Sequence, residues 1–210
     1  MTGSHRQWIK WAVQGGLGFV AGFGAMAFLH ESELLARIQC SAGAVGLFLV
    51  GSAYLVVGLF VFVMSIDPRV GAKVLFLQDA DEVLDLRAVL LSSGIVYALI
   101  GVGQVALVLA DAEVVSPLIG ATTMLFSFVL AACVSVYLWS LYDEFWKQVT
   151  LEASQITLLI LVLFVPGWSI TARFGWGPAV DPLGLIALLT GVALAGGMIA
   201  VLRRGIGSFA

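Results

Sequence analysis

Six long apolar runs alternate with short polar breaks along this chain: residues 12–29, 41–64, about 88–110, 118–141, 151–170 and 183–202. A helix crosses a hydrocarbon core of about 30 Å in roughly 20 residues, so each run is long enough to span a bilayer. The pattern predicts an all-α fold, an integral membrane bundle of six transmembrane helices arranged as three hairpins, with residues 1–210 forming a single transmembrane domain. The breaks carry helix-ending chemistry. Asp67-Pro68 stops a helix because proline lacks an amide donor and restricts the residue before it. The loop of residues 171–182, TARFGWGPAVDP, is rich in glycine and proline and ends another. Between the second and third spans, residues 69–77 (RVGAKVLFL) form a short basic and apolar piece expected to lie along the membrane interface.

Two acidic junctions punctuate the chain: DADEVLDLR from Asp79 to Arg87, and YDEFWKQVTLEASQ from Tyr142 to Gln155. Sliding the sequence by 62 positions lays Asp81-Glu82 on Asp143-Glu144, and each pair leads into a span, a proline-containing loop and a second span. One reading is a tandem hairpin repeat, 79–140 and 141–204, with both copies entering from the same side and related by an axis along the membrane normal. The other is that any two membrane hairpins align this well, since little else is identical. Both stay open.

Composition narrows the class further. Hydrophobic residues make up 61% of the chain and charged residues 11%, with a mean hydropathy of +1.08. Soluble domains carry about 25% charged residues, so a water-soluble fold could not hide this much apolar surface. The net charge is −3 and no basic tract is present, which argues against nucleic acid as a partner. Orientation follows the placement of Lys and Arg instead. With a cytoplasmic N-terminus, eight of the ten cations (Arg6, Lys10, Arg69, Lys73, Arg87, Lys147, Arg203, Arg204) fall inside and only Arg37 and Arg173 outside, placing both termini in the cytoplasm. All six tryptophans, Trp8, Trp11, Trp139, Trp146, Trp168 and Trp176, fall at predicted span ends, where interfacial anchors belong. The first run, with Ala25-Met26-Ala27 near its end, also resembles a secretory leader; it is longer than the usual apolar segment of about 7–15 residues, so a retained first span is expected.

Candidate chemistry is sparse. Glu144, Gln148, Glu152 and Gln155 recur at steps of four, four and three and share one face of a helix. Glu152 and Gln155 would sit at or just inside the membrane boundary, where an ionisable group is costly and faces protein or water. Against a functional role, acids near a helix start also serve as punctuation, and Asp143 and Lys147 are spaced for an i,i+4 pair. Gln104 is the other polar candidate, a mid-span amide that needs partners. Asp79, Asp81, Glu82 and Asp85 lack the spaced oxygens and central glycine of a calcium loop, and His30 with Glu31 and Glu33 falls short of a zinc site. Cys40 and Cys133 stand apart without CxxC spacing and read as packing residues. No metal site and no cofactor is expected. No GxSxG, HExxH or Walker sequence offers a nucleophile and base, so no catalytic residue is assigned and the chain is not expected to be an enzyme. Glycines suited to close helix packing are Gly18 with Gly22, and Gly191, Gly196 and Gly197.

The residues DADEV…R, YDEFWKQ…LEA and Arg203-Arg204-Gly205 resemble those of uncharacterised small bacterial inner-membrane proteins, in which a juxtamembrane D-E pair precedes each hydrophobic hairpin. The resemblance covers about the last 130 residues. It implies a multi-pass protein of the bacterial inner (plasma) membrane and no particular activity. The expected function is a noncatalytic scaffold or accessory membrane subunit, with the lipid bilayer and other membrane proteins or a second copy as partners. The alternative is a small transporter or ion-conducting protein that uses Glu152 and nearby polar groups.

Overall fold

The structure, a computed structural model, describes residues 41–75, 80–177, 179 and 181–204. The first predicted span, with Gly18 and Gly22, lies outside the described residues, as do Cys40 and Asp79. Seven helices fill the described chain: α1 Ala42–Met64, α2 Pro68–Leu75, α3 Ala80–Asp85, α4 Arg87–Asp111, α5 Pro117–Leu141, α6 Glu144–Arg173 and α7 Pro182–Arg203. Five of them, α1, α4, α5, α6 and α7, are long and apolar enough to cross a membrane. The described chain is therefore an all-helical multi-pass membrane protein.

Local chemistry sets the helix ends. Ser41 caps α1 through the Ala44 amide (3.1 Å), Ser116 caps α5 through Ile119 (3.3 Å), and Asp143 caps α6 through Trp146 (2.9 Å). Each satisfies one of the orphan amides that every helix start leaves. Asp67 does the same for the start of α2, accepting from Arg69 and Val70 at 2.9 and 3.3 Å. At the far end of α6, Gly175 takes the left-handed conformation (φ 72°), and the Gly175 and Trp176 amides return to Ala172 and Thr171 at 3.2 and 2.9 Å. That double bond pattern is the glycine-terminated helix stop. α4 ends in the same pattern with Glu113 (φ 57°) where glycine would be unstrained.

The spanning helices pack in the order α5, α4, α1, α7, α6, with α1 at the centre. Glycine brings α1 and α4 together. A Cβ placed on Gly58 would lie 2.5 Å from the Ala98 nitrogen and 2.8 Å from the Gly94 oxygen; one on Gly101 would lie 2.6 Å from the Gly51 oxygen. Gly51 and Gly58, like Gly94 and Gly101, are seven residues apart, two turns along one face of each helix. On its other side α1 runs parallel to α7: the Ser41 hydroxyl donates to Asp181 (2.8 Å), the Tyr54 hydroxyl donates to the Thr190 carbonyl (2.9 Å), and Gly191 rests against Val50. α4 with α5, and α6 with α7, form antiparallel hairpins.

The predicted hinge of residues 142–155 is much shorter than its polarity suggests. Only Tyr142 and Asp143 are extended, and α6 begins at Glu144. Asp143 is engaged as the cap of α6, and the ion pair with Lys147 that the spacing permits is not formed. The basic segment after Asp67 does form a helix, α2, which tucks Gly71 against the Met64 carbonyl and packs beside the buried Val83 of α3.

Candidate functional site

α6 has 30 residues, and at about 1.5 Å per residue it is longer than the hydrocarbon core it crosses. Its polar first turns, which include Trp146, make up the part of the helix least suited to the hydrocarbon core. α7 has 22 residues, about the core thickness, and it ends at Arg203 on the same side as those turns because the two helices are antiparallel. Gly196 allows the close approach: a Cβ there would collide with the Thr157 hydroxyl and lie 3.0 Å from the Ala153 carbonyl oxygen. Arg203 follows Gly196 by seven residues, so it lies two turns further along the same face.

The consequence is an ion-pair cluster between the ends of two spans. Arg204 Nε donates to Glu152 Oε2 at 2.7 Å, and Arg203 Nη1 meets Glu152 Oε1 at 3.2 Å. Arg204 Nη1 also donates to Gln148 Oε1 at 3.4 Å. The Glu152 side chain is 18% exposed, whereas those of Arg203 and Arg204 are 65% and 35% exposed, so the carboxylate is covered and the guanidiniums are reachable. The cluster lines an open surface groove, with Gln155 beside the charges and Leu151, Ile156 and Leu159 along α6. A single carboxylate faces two guanidiniums, leaving one net positive charge in the groove.

Three of the residues marked out by their spacing, Gln148, Glu152 and Gln155, are thus brought together. Glu144 sits two turns from Glu152 at the exposed start of α6 and does not line the groove. Gln104 is elsewhere, fully buried where α4 meets Gly51 of α1, and among the described residues neither its amide nitrogen nor its oxygen has a hydrogen-bond partner. Of the glycines marked for packing, Gly191 and Gly196 meet neighbouring helices within the chain, while Gly197 has nothing within 4 Å of its Cβ position. Cys133 is exposed on the outer surface of α5. In the sequence Arg203 and Arg204 enter the orientation argument and the resemblance, but not the candidate site. The signal that could have found them is the antiparallel hairpin itself, which sets the last residues of its second helix beside the first turns of its first.

The arrangement can hold an anion or lock two helix ends together; among the described residues it contains no histidine or thiol for nucleophilic or metal chemistry. No protein-family model matches the chain, and no curated protein or solved structure matches it either.

Proposed function

We propose that this protein is a noncatalytic scaffold or accessory subunit of a bacterial inner membrane, crossing it six times as three hairpins with both termini in the cytoplasm. The observation that carries this reading is the imbalance of burial across the row of helices. Among the described residues α6 buries only Val149 of its 30 residues, and α5 and α6, at the two ends of the described row, each pack mainly on one described spanning neighbour. Val136 on α5 and Leu163 on α6 are 75% and 65% exposed. Lipid accepts such faces, and so do the helices of another membrane protein or of a second copy. Glu152, the best-placed intramembrane acid, is held by two arginines, which suits a clasp between α6 and α7.

The test is photo-crosslinking in native membranes from Leu163 on α6 and Val136 on α5, with Leu47, buried in the core, as the internal control. Protein-sized adducts at the two outer positions and none at Leu47 are expected. Lipid adducts alone at every outer position would contradict the reading. The groove at Glu152 favours a second reading, a small transporter or ion-conducting protein. That reading requires Glu152→Gln to alter flux in reconstituted vesicles without lowering membrane accumulation.

A further inference from the structure

We propose that the open groove between the start of α6 and the end of α7 binds the headgroup of one anionic phospholipid, with the phosphodiester on Arg203 and Arg204. Charge supports this first. Two guanidiniums share one carboxylate, so the site has an unbalanced positive charge, and basic pockets between spans at the membrane surface attract anionic headgroups. Donor count supports it second. Each guanidinium has five N–H groups; Arg203 presents one terminal nitrogen to Glu152, and Arg204 uses Nε for Glu152 and Nη1 for Gln148. Donors on both side chains remain for phosphate oxygens, which guanidinium matches in geometry.

Depth and shape identify the ligand as a lipid. Arg203 closes a helix of 22 residues, about as long as the hydrocarbon core is thick, which suits a guanidinium near the membrane surface. From there the lining turns apolar: Ile156 and Leu159 run down α6 toward the bilayer interior, a path for the first methylenes of an acyl chain. A free phosphate would use only the upper half of such a site. Gln155, exposed at the rim, offers an amide to glycerol or headgroup hydroxyls.

Binding of phosphatidylglycerol, phosphatidylcholine and inorganic phosphate to the full-length, delipidated protein in detergent tests the assignment by native mass spectrometry. Phosphatidylglycerol should bind roughly five-fold tighter than phosphatidylcholine, the effect of about one charge near a membrane surface. Arg203→Gln should remove that preference, whereas Arg173→Gln at the opposite end of α6 should leave it intact. Glu152→Gln should strengthen phosphatidylglycerol binding, because it removes the competing carboxylate; a clasp without a lipid predicts no gain. If Glu152→Gln does not accumulate, Arg203→Gln decides alone, since that side chain is mostly exposed and Arg204 keeps the clasp. Equal binding of the two lipids, retention of the preference in Arg203→Gln, or inorganic phosphate competing as well as phosphatidylglycerol would overturn the proposal.

Discussion

The seam between α1 and α4 and the outer helix α6 are both apolar, yet they solve opposite problems. The seam is lined with Gly51, Gly58, Gly94 and Gly101, so that backbone approaches backbone, most closely at Gly58 and Gly101, with the Gln104 side chain resting on Gly51. α6 presents Leu158, Leu159, Val162, Leu163 and Phe164 outward, each at least 60% exposed. The difference shows what hydropathy measures in a membrane protein. It reports that a segment is compatible with lipid, and it is silent on which segments touch protein, because lipid tails are as apolar as leucine. Small residues repeated at a helical spacing carry that second message.

Four stability measurements sharpen this contrast, made by reversible unfolding in bicelles or by steric trapping. The largest effect is expected from Leu47→Ala at the fully buried centre, with a loss of about 2–5 kcal/mol, while Leu163→Ala on α6 should cost well under about 1 kcal/mol. Equal losses would erase the distinction between seam and outer face. Next, Gly58→Ala should cost about 1–3 kcal/mol, because its Cβ meets backbone atoms that move only if α1 and α4 separate. Gly197→Ala, with open space around it, should be neutral or slightly stabilising. Gln104→Leu should stabilise by about 1–3 kcal/mol, since a buried amide without partners among the described residues is replaced by a side chain that needs none. A loss on that substitution would mean that Gln104 has a partner bound in the membrane. Smallest is Glu113→Gly, a gain of about 1 kcal/mol from releasing a left-handed residue at the end of α4.

How much of this was legible in the sequence depended on which physical signal was strong. The five described spans fall within one residue of the predicted runs at eight of their ten ends, since caps such as Ser41 and Ser116 and breakers such as Pro182 are local signals. The exceptions are the two ends of α6, which starts seven residues earlier and stops three residues later than its run. Polarity in YDEFWKQ reads as hinge, yet Asp143 caps a helix that continues through those polar turns. Neighbour relations were less legible. The apolar runs imply hairpins, and α4/α5 and α6/α7 are such pairs, but the central place of α1 follows from glycine positions in different helices that match only in three dimensions. In the first hairpin the leading helix, α4, touches α1, while in the second the trailing helix, α7, does so; the 62-residue repeat in the sequence does not foretell that difference. The candidate site was half legible. Helical spacing collected Gln148, Glu152 and Gln155, whereas their arginine partners arrive from 51 and 52 residues later than Glu152 and required the fold.

The central place of α1 is tested most directly by intramolecular disulfide trapping in membranes, with Cys40 and Cys133 replaced by serine. The pair Val50→Cys with Gly191→Cys, in contact between α1 and α7, should cross-link readily. The pair Phe126→Cys with Leu159→Cys, at equal distance from the Tyr142-Asp143 turn but on helices at opposite ends of the packing order, should not. Cross-linking of α5 to α6 within one chain, together with none between α1 and α7, would contradict the account.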